Sequence, residues 1–261
     1  MRSPLQNIIH ETPSHGGWEI AWKKGVTGWD LGGPTKLLVH ELKNERNRLF
    51  EASSNDTKVG GWKSLVPGCG SGYDLLTLAQ HQTILFQHYQ KESKSVLGAG
   101  TVVGLDISPT SVEKTQAMLD VVTNGKDSDG TSDAAVKVIC HDFFKAPFQT
   151  NEFDFVFDYT FFCAIPPSLR EDWGKRLGDI IAPNGKLLTF AFPIVLSDDD
   201  LLEKKKNETL IGPPFPVTIE EYKRMLEPHG FELIFDPKES EFSEDSRKGK
   251  ELPIWWKKVA F

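Results

Sequence analysis

The sequence predicts an α/β fold: a mostly parallel sheet with helices on both faces. Three observations carry this. Short apolar runs alternate with helix-length segments along most of the 261 residues. A glycine-rich turn, GCGSG from Gly68 to Gly72, joins the first clear strand to a helix. The last two strand-like runs have no helix between them and are expected to pair antiparallel at one edge. No internal repeat and no second domain is visible, so residues 1–261 read as one domain, with 1–50 as an N-terminal lid and helix.

The elements follow in order. Residues 1–34 are rich in Trp and Gly and show no clear periodicity. In TKLLVHELKNERNRLF, Leu37, Leu38, Leu42 and Leu49 fall near helical spacing. WKSLVP is a short strand, 71–90 a helix, and Val102 to Asp106 a buried strand. In the next helix Ser108 suits the cap and Pro109 the first turn, where its missing N–H costs nothing. AVKVICHD and FDFVFDY are strands; PPSLREDWGKRLGDIIA is a helix closed by the turn signal PNG. KLLTFAF is a strand, and TIEEYKRMLEPHG is a helix with Thr218 and Glu221 in capping-box register. FELIFD and IWWKKVAF complete about seven strands.

Bulk properties exclude more than they assign. A net charge of -7 disfavours nucleic acid, which asks for a basic stripe. The N-terminus lacks the apolar core of a signal peptide, and no run approaches a membrane span. Cys69, Cys140 and Cys163 are too few and too scattered for a disulfide framework, which fits a reducing, cytoplasmic location. Asn55 and Asn207 begin Asn-x-Thr sequons that mean nothing without secretion. His10, His15, His40, His81, His88, His141 and His229 show no metal spacing, so no metal is expected. Composition is silent on oligomeric state.

The glycine stretch points to a ligand. In open α/β sheets ligands sit beyond the carboxyl ends of the strands, and Gly68, Gly70 and Gly72 follow a strand ending at Pro67. The spacing is G-x-G-x-G, not the G-x-G-x-x-G of dinucleotide sites, which weakens a nicotinamide reading. Asp106 ends the second strand, where an acid can take both ribose hydroxyls. Asp142 and Phe143 end the third, where a carboxylate can accept from an exocyclic amine and a ring can stack on a purine. Each has a plainer reading: a tight turn, a loop cap, a core ring. Ribose at one strand end and adenine at the next is the arrangement of S-adenosylmethionine in methyltransferases.

At this point the chain resembles the thiol and halide methyltransferases, relatives of thiopurine S-methyltransferase. The resemblance covers nearly all of it and rests on WEIAWKKGVTGWDLGGPT, LVPGCGSGYD, VVGLDIS, FDYTFFCAIPPSLREDW, NGKLLTFAFPI, GPPFPV and the late RKGKE. It implies a seven-stranded Rossmann-like class I methyltransferase sheet and S-adenosylmethionine as cofactor. It implies that Trp18, Trp22 and Trp29 fold over the cofactor and that Gly68 and Gly70 hold its methionine part. Asp106 is implied to bind ribose, Asp142 and Phe143 to face adenine, and Tyr159 to lie beside the reactive centre. Phe192 and Arg247 lie where the family places substrate-facing groups. The thiopurine branch carries Arg after the fourth strand; DYTFF stands here, shifting the expectation toward small acceptors. Phe192 replaces the tyrosine common in the plant enzymes, removing any hydroxyl role there.

The implied reaction moves a methyl group from S-adenosylmethionine to a halide, thiocyanate, bisulfide or small thiol. It is an in-line displacement with the nucleophile at about 3–3.5 Å. Halides and thiocyanate carry no proton, so the absence of an obvious His–Asp pair is expected. Aromatic walls from Trp22, Trp29, Phe161, Phe162 and Phe192 exclude water and attract a sulfonium, and Arg247 attracts an anion. Two alternatives stay open: an O- or N-methyltransferase of a larger metabolite, and a non-catalytic module binding an adenosine ligand. The enlarged segments 51–61, 80–100 and 124–133 carry no functional expectation.

Overall fold

The structure, a computed structural model, describes residues 2–12, 16–44, 58–59, 61–91, 96–124, 134–195, 199 and 212–259. Leu49, Asn55, Asn207 and most of the 51–61 and 124–133 segments lie outside the described residues. Three helices open the chain: α1 (Pro4–Glu11), α2 (Gly16–Lys23) and α3 (Lys36–Asn44). The first two escape sequence periodicity because each is only 8 residues long. Capping sets α1. The Ser3 hydroxyl accepts from Gln6 N, the Gln6 side chain accepts from Ser3 N, and Pro4 opens the helix. In α3, Leu37, Leu38 and Leu42 are buried on one face, as their spacing predicts.

A two-residue ribbon, β1 (Lys58–Val59) with β3 (Val96–Leu97), stands apart from the main sheet. The main sheet contains β2 (Lys63–Pro67), β4 (Thr101–Asp106), β5 (Ala135–Cys140), β6 (Phe153–Tyr159), β7 (Ile181–Ala191), β8 (Phe231–Leu233) and β9 (Leu252–Lys258). Its order is β5-β4-β2-β6-β7-β9-β8. The helices α4 (Tyr73–Lys91), α5 (Pro109–Asn124), α6 (Arg170–Ile180) and α7 (Ile219–Leu226) connect its strands. Pairing is parallel from β5 through β7, and β9 runs antiparallel between β7 and β8. The last two strands therefore pair as expected, with the later one inserted beside β7 and the short β8 outside it.

Strand alternation sends side chains to two cores. Phe155, Phe157, Leu188 and Phe190 pack with Leu75, Leu78 and Phe86 of α4 on one face. Val156, Leu187, Ile254 and Trp256 pack with Trp173 and Leu177 of α6 and Tyr222 and Leu226 of α7 on the other. One sequence signal resolves differently from its expectation. PNG lies inside β7, not ahead of it: Phe153 pairs with Ile181 but Phe155 with Lys186, leaving a bulge in which Asn184 takes φ 64°. The Asn-Gly signal there marks an interruption of a ladder.

Candidate active site

Strand order reverses between β2 and β6, and a cleft opens at their carboxyl ends, where this topology places ligands. Gly68, Cys69, Gly70 and Ser71 line it from the β2 side and Phe157, Tyr159 and Thr160 from β6. Trp29, Asp30, Leu31, Gly33 and Thr35 close it from the N-terminal segment. Its open space is about 530 Å³, mouth included.

The glycine loop is preset by its own backbone. Gly68, Gly70 and Gly72 all have positive φ, at 60°, 56° and 78°. Cys69 N–H donates to Leu105 O, Gly70 N–H to the Asp106 carboxylate (3.0 Å) and Gly72 N–H to Cys69 O. Gly70 O accepts from the hydroxyls of Ser111 (2.9 Å) and Thr115 (2.6 Å). A Cβ at Gly72 would stand 2.4 Å from Thr115 Cγ2; one at Gly70 would meet only Trp22, at 3.7 Å. Gly72 is therefore glycine for packing. Gly70 faces the indole that roofs the loop.

The N-terminal segment is tied down by acids. Glu19 of α2 accepts from Ser108 Oγ (2.6 Å), Thr110 N (3.1 Å) and Thr110 Oγ1 (2.8 Å) at the start of α5, and pairs with Lys23. Burial raises its pKa, but these donors outweigh burial and hold it at about 2. Asp30 accepts from Ser71 Oγ (2.5 Å) and pairs with Lys114. Thr35 donates through N and Oγ1 to Asp74 at 2.9 and 2.8 Å. The three indoles pack edge to face: Trp29 lies 5.3 Å from Trp18 and 5.8 Å from Trp22. Lys114 sits 5.2 Å over the Trp22 ring.

At the β6 end, alternation separates two roles. Asp158 points to the α6 face, buried, and accepts from Phe162 N (3.1 Å) and Trp173 Nε1 (2.9 Å), holding the turn in which Thr160 takes φ 64°. Burial pushes its carboxyl up to about 6. Tyr159 points the other way, into the cleft. Its hydroxyl donates to Glu251 Oε2 at 2.7 Å. The Arg247 guanidinium lies 4.6 Å from the Tyr159 ring and 4.7 Å from Phe192, and donates to Trp29 O at 3.0 Å. A lone arginine this near the C-terminus would usually be solvated; Arg247 is 5 % exposed.

Of the predicted residues, Trp29, Gly68, Gly70 and Tyr159 line the cleft, Trp22 stands over Gly70, and Arg247 joins Trp29 and Tyr159 to Phe192 behind the wall. Trp18 stands behind Trp29 and is half-buried. Asp106 reaches the loop through Gly70 and also accepts from Ser108 N (2.9 Å). Asp142 and Phe143 follow β5, away from the cleft lining. Asp142 accepts from Phe144 N and pairs with Lys145, while Phe143 is buried 5.1 Å from Phe161. Sequence reasoning missed Asp30, Thr35, Asp74 and Glu251, although all four sit inside motifs already marked: GWDLGGPT, GCGSGYD and RKGKE. Their signal was position within a motif; residue type alone did not announce it. Among the described residues no group of three or more His, Cys, Asp or Glu is arranged to hold a metal, and no helix is long and apolar enough to cross a membrane.

The chain is similar to known methyltransferases. The family pattern described as thiopurine S-methyltransferase matches residues 14–86 and 98–258. The chain belongs to that family. Among its relatives, "Probable thiol methyltransferase 2" of Arabidopsis thaliana is 36% identical over 98% of this chain and 91% of its own. "Thiocyanate methyltransferase 1" of Brassica oleracea is 34% identical over 98% and 90%. The fold is that of class I methyltransferases. A methyltransferase from Methanosarcina mazei superposes with TM-score 0.52 at 17% identity, covering 78% of this chain and 96% of its own. The magnesium protoporphyrin IX methyltransferase of Synechocystis, solved with S-adenosylhomocysteine, gives 0.53 at 14%, covering 97% and 92%. The family member described here is an S-adenosylmethionine-dependent methyltransferase. Its cleft lining fits that cofactor: the carboxylates of Asp30 and Asp74 suit an α-ammonium, and the rings of Trp29 and Tyr159 suit a sulfonium.

Proposed function

We propose that this methyltransferase acts on small sulfur or halide nucleophiles: iodide and other halides, thiocyanate, bisulfide and small thiols. One observation carries the reading. Arg247 is a buried cation, flanked by the Tyr159 and Phe192 rings, whose Nη1 has no hydrogen-bond partner among the described residues. A buried guanidinium with an unpartnered N–H, packed against Tyr159 of the cleft wall, suits a small anion.

Bound S-adenosylmethionine supplies an electrophilic methyl group on a sulfonium. The chain's residues do the rest. Gly68 and Gly70 seat the methionine part, Asp106 the ribose, and Asp142 with Phe143 the adenine. Trp18, Trp22 and Trp29 form the lid that excludes water. Tyr159, Phe192 and Arg247 orient the nucleophile opposite the departing sulfur. We read residues 1–261 as one domain, working in the cytoplasm on a small-molecule substrate without nucleic acid or membrane. Three free cysteines support the reducing location.

The test is an acceptor panel of iodide, chloride, thiocyanate, bisulfide and methanethiol with S-adenosylmethionine. Volatile methyl products and S-adenosylhomocysteine are measured together. Methyl iodide, methyl thiocyanate or methyl sulfides above the enzyme-free control are expected; none from any acceptor overturns the proposal.

A further inference from the structure

A thiol brings a difficulty that a halide does not: its proton must leave before or as sulfur attacks carbon. The sequence offers no His–Asp pair for it. The structure offers something else. Glu251, at the end of RKGKE and just before β9, is 2 % exposed. Its Oε2 accepts the Tyr159 hydroxyl at 2.7 Å, while its Oε1 has no partner among the described residues. A buried carboxylate with an unfilled acceptor is costly, and it stands one hydrogen bond behind the only tyrosine hydroxyl of the β6 strand end. The hydroxyl hydrogen is committed to Glu251. The Tyr159 oxygen therefore presents lone pairs, not a donor, to whatever lies in the cleft.

We infer that Tyr159 and Glu251 form a proton relay that admits neutral thiols as acceptors, with Glu251 acting through Tyr159. This rests on the small-nucleophile reading above and specifies it. The S–H proton passes to Tyr159 Oη as the Tyr159 Oη–H proton passes to Glu251 Oε2. The freed sulfur pair forms the new S–CH3 bond, and the old carbon–sulfonium bond breaks with its electrons returning to the cofactor sulfur. The products are a methyl thioether, S-adenosylhomocysteine and a protonated Glu251, which returns its proton by the same route once the cleft opens.

The electrostatics keep Tyr159 protonated between transfers. Burial holds the Tyr159 phenol well above its usual range and the Glu251 carboxylate beside it adds to this, while Arg247 opposes. A tyrosinate does not accumulate, and the proton moves through rather than off the ring. The charged and titratable groups facing the pair are Arg247, which favours a thiolate beside it, with Asp74 and Cys163 both within its field.

The experiment compares wild type with Glu251→Gln on a small alkyl thiol and on iodide across pH. A free thiol has pKa ~8.5, so a reaction confined to preformed thiolate loses tenfold in kcat/KM per pH unit below that value. With the relay, the wild-type thiol profile flattens below it. Glu251→Gln restores the tenfold slope, loses ~100-fold in the thiol-to-iodide ratio two units below the thiol pKa, and rejoins wild type above it. Calorimetry with S-adenosylhomocysteine shows that the variant still binds. A variant that loses iodide and thiol turnover by one common factor, or loses thiol turnover equally at every pH, overturns the relay. If Glu251→Gln does not fold, the wild-type profile decides: a strict tenfold slope refutes it. A wild type inactive on both acceptors refutes instead the underlying reading, and the two failures are thus distinguishable.

Discussion

At the scale of single residues, Arg247 has the most to lose by substitution. Its Nη2 donates to Trp29 O, and its Nη1, without a partner among the described residues, is the group we propose for the substrate. Arg247→Leu keeps an apolar body between Tyr159 and Phe192 and removes the charge. We expect KM for iodide and thiocyanate to rise about 10- to 100-fold, the equivalent of ~1.5–3 kcal/mol for a hydrogen bond to a charged group. The kcat should change far less, and steady-state kinetics at fixed S-adenosylmethionine separate the two. The glycines give a second contrast. Gly70→Ala suffers the left-handed strain of φ 56° alone, its methyl resting in ordinary contact with Trp22. That costs ~1–2 kcal/mol. Gly72→Ala adds a collision with Thr115, which cannot swing away without surrendering its 2.6 Å bond to Gly70 O. Urea unfolding should find it ~2–4 kcal/mol less stable than wild type, the larger loss of the two.

At the scale of elements, α2 is latched to the start of α5 by Glu19, and the latch has a pH window. The folded pKa is about 2 against an ordinary 4.5. A depressed carboxylate stabilises fully above its unfolded pKa and loses that stabilisation as pH falls toward the folded one. The stability gap between wild type and Glu19→Gln should therefore be complete above pH about 4.5 and close as pH approaches 2. Denaturant titrations of both proteins across that range check it. The same element shows where sequence reasoning stops. The central strands were legible as short apolar runs buried on both faces, and the long helices as helix-length segments between them. α1 and α2 are too short to repeat, and they form through a cap and through contacts with α5 that lie about 90 residues away in sequence. The site divides likewise. Gly70 and Asp106 could be read from where strands end. Tyr159, Phe192 and Arg247 could be read only through the resemblance to a family. Glu251 carried no signal beyond its place in RKGKE, since its role depends on β9 inserting beside β7, which no local pattern encodes.

At the scale of the whole molecule, the N-terminal segment is tied to the region around β9. The Trp29 carbonyl is held by Arg247, Lys36 pairs with Glu244 at 3.0 Å, and Trp255 Nε1 donates to Glu41 at 2.7 Å. Three cysteines distributed over this architecture report on it without any substitution. Cys140 ends β5 and is exposed. Cys69 lines the cleft between two of its glycines. Cys163 is buried beneath the Thr160 turn, where burial pushes its thiol up to about 12, with Asp158 adding to the shift. Thiolate is the reacting form, so accessibility and pKa act together on the rate. A thiol reagent should modify Cys140 first and Cys69 more slowly, leaving Cys163 untouched until the protein unfolds. S-adenosylhomocysteine should slow the modification of both Cys69, in the glycine loop, and Cys140, two residues before the Asp142 of the proposed adenine site, because the proposed ligand runs from that loop to the end of β5. Peptide mass mapping over a time course, with and without the ligand, measures all three rates. Protection of neither cysteine would move the ligand away from the ends of β2 and β5, and the proposed roles of Trp29, Tyr159 and Arg247 would move with it.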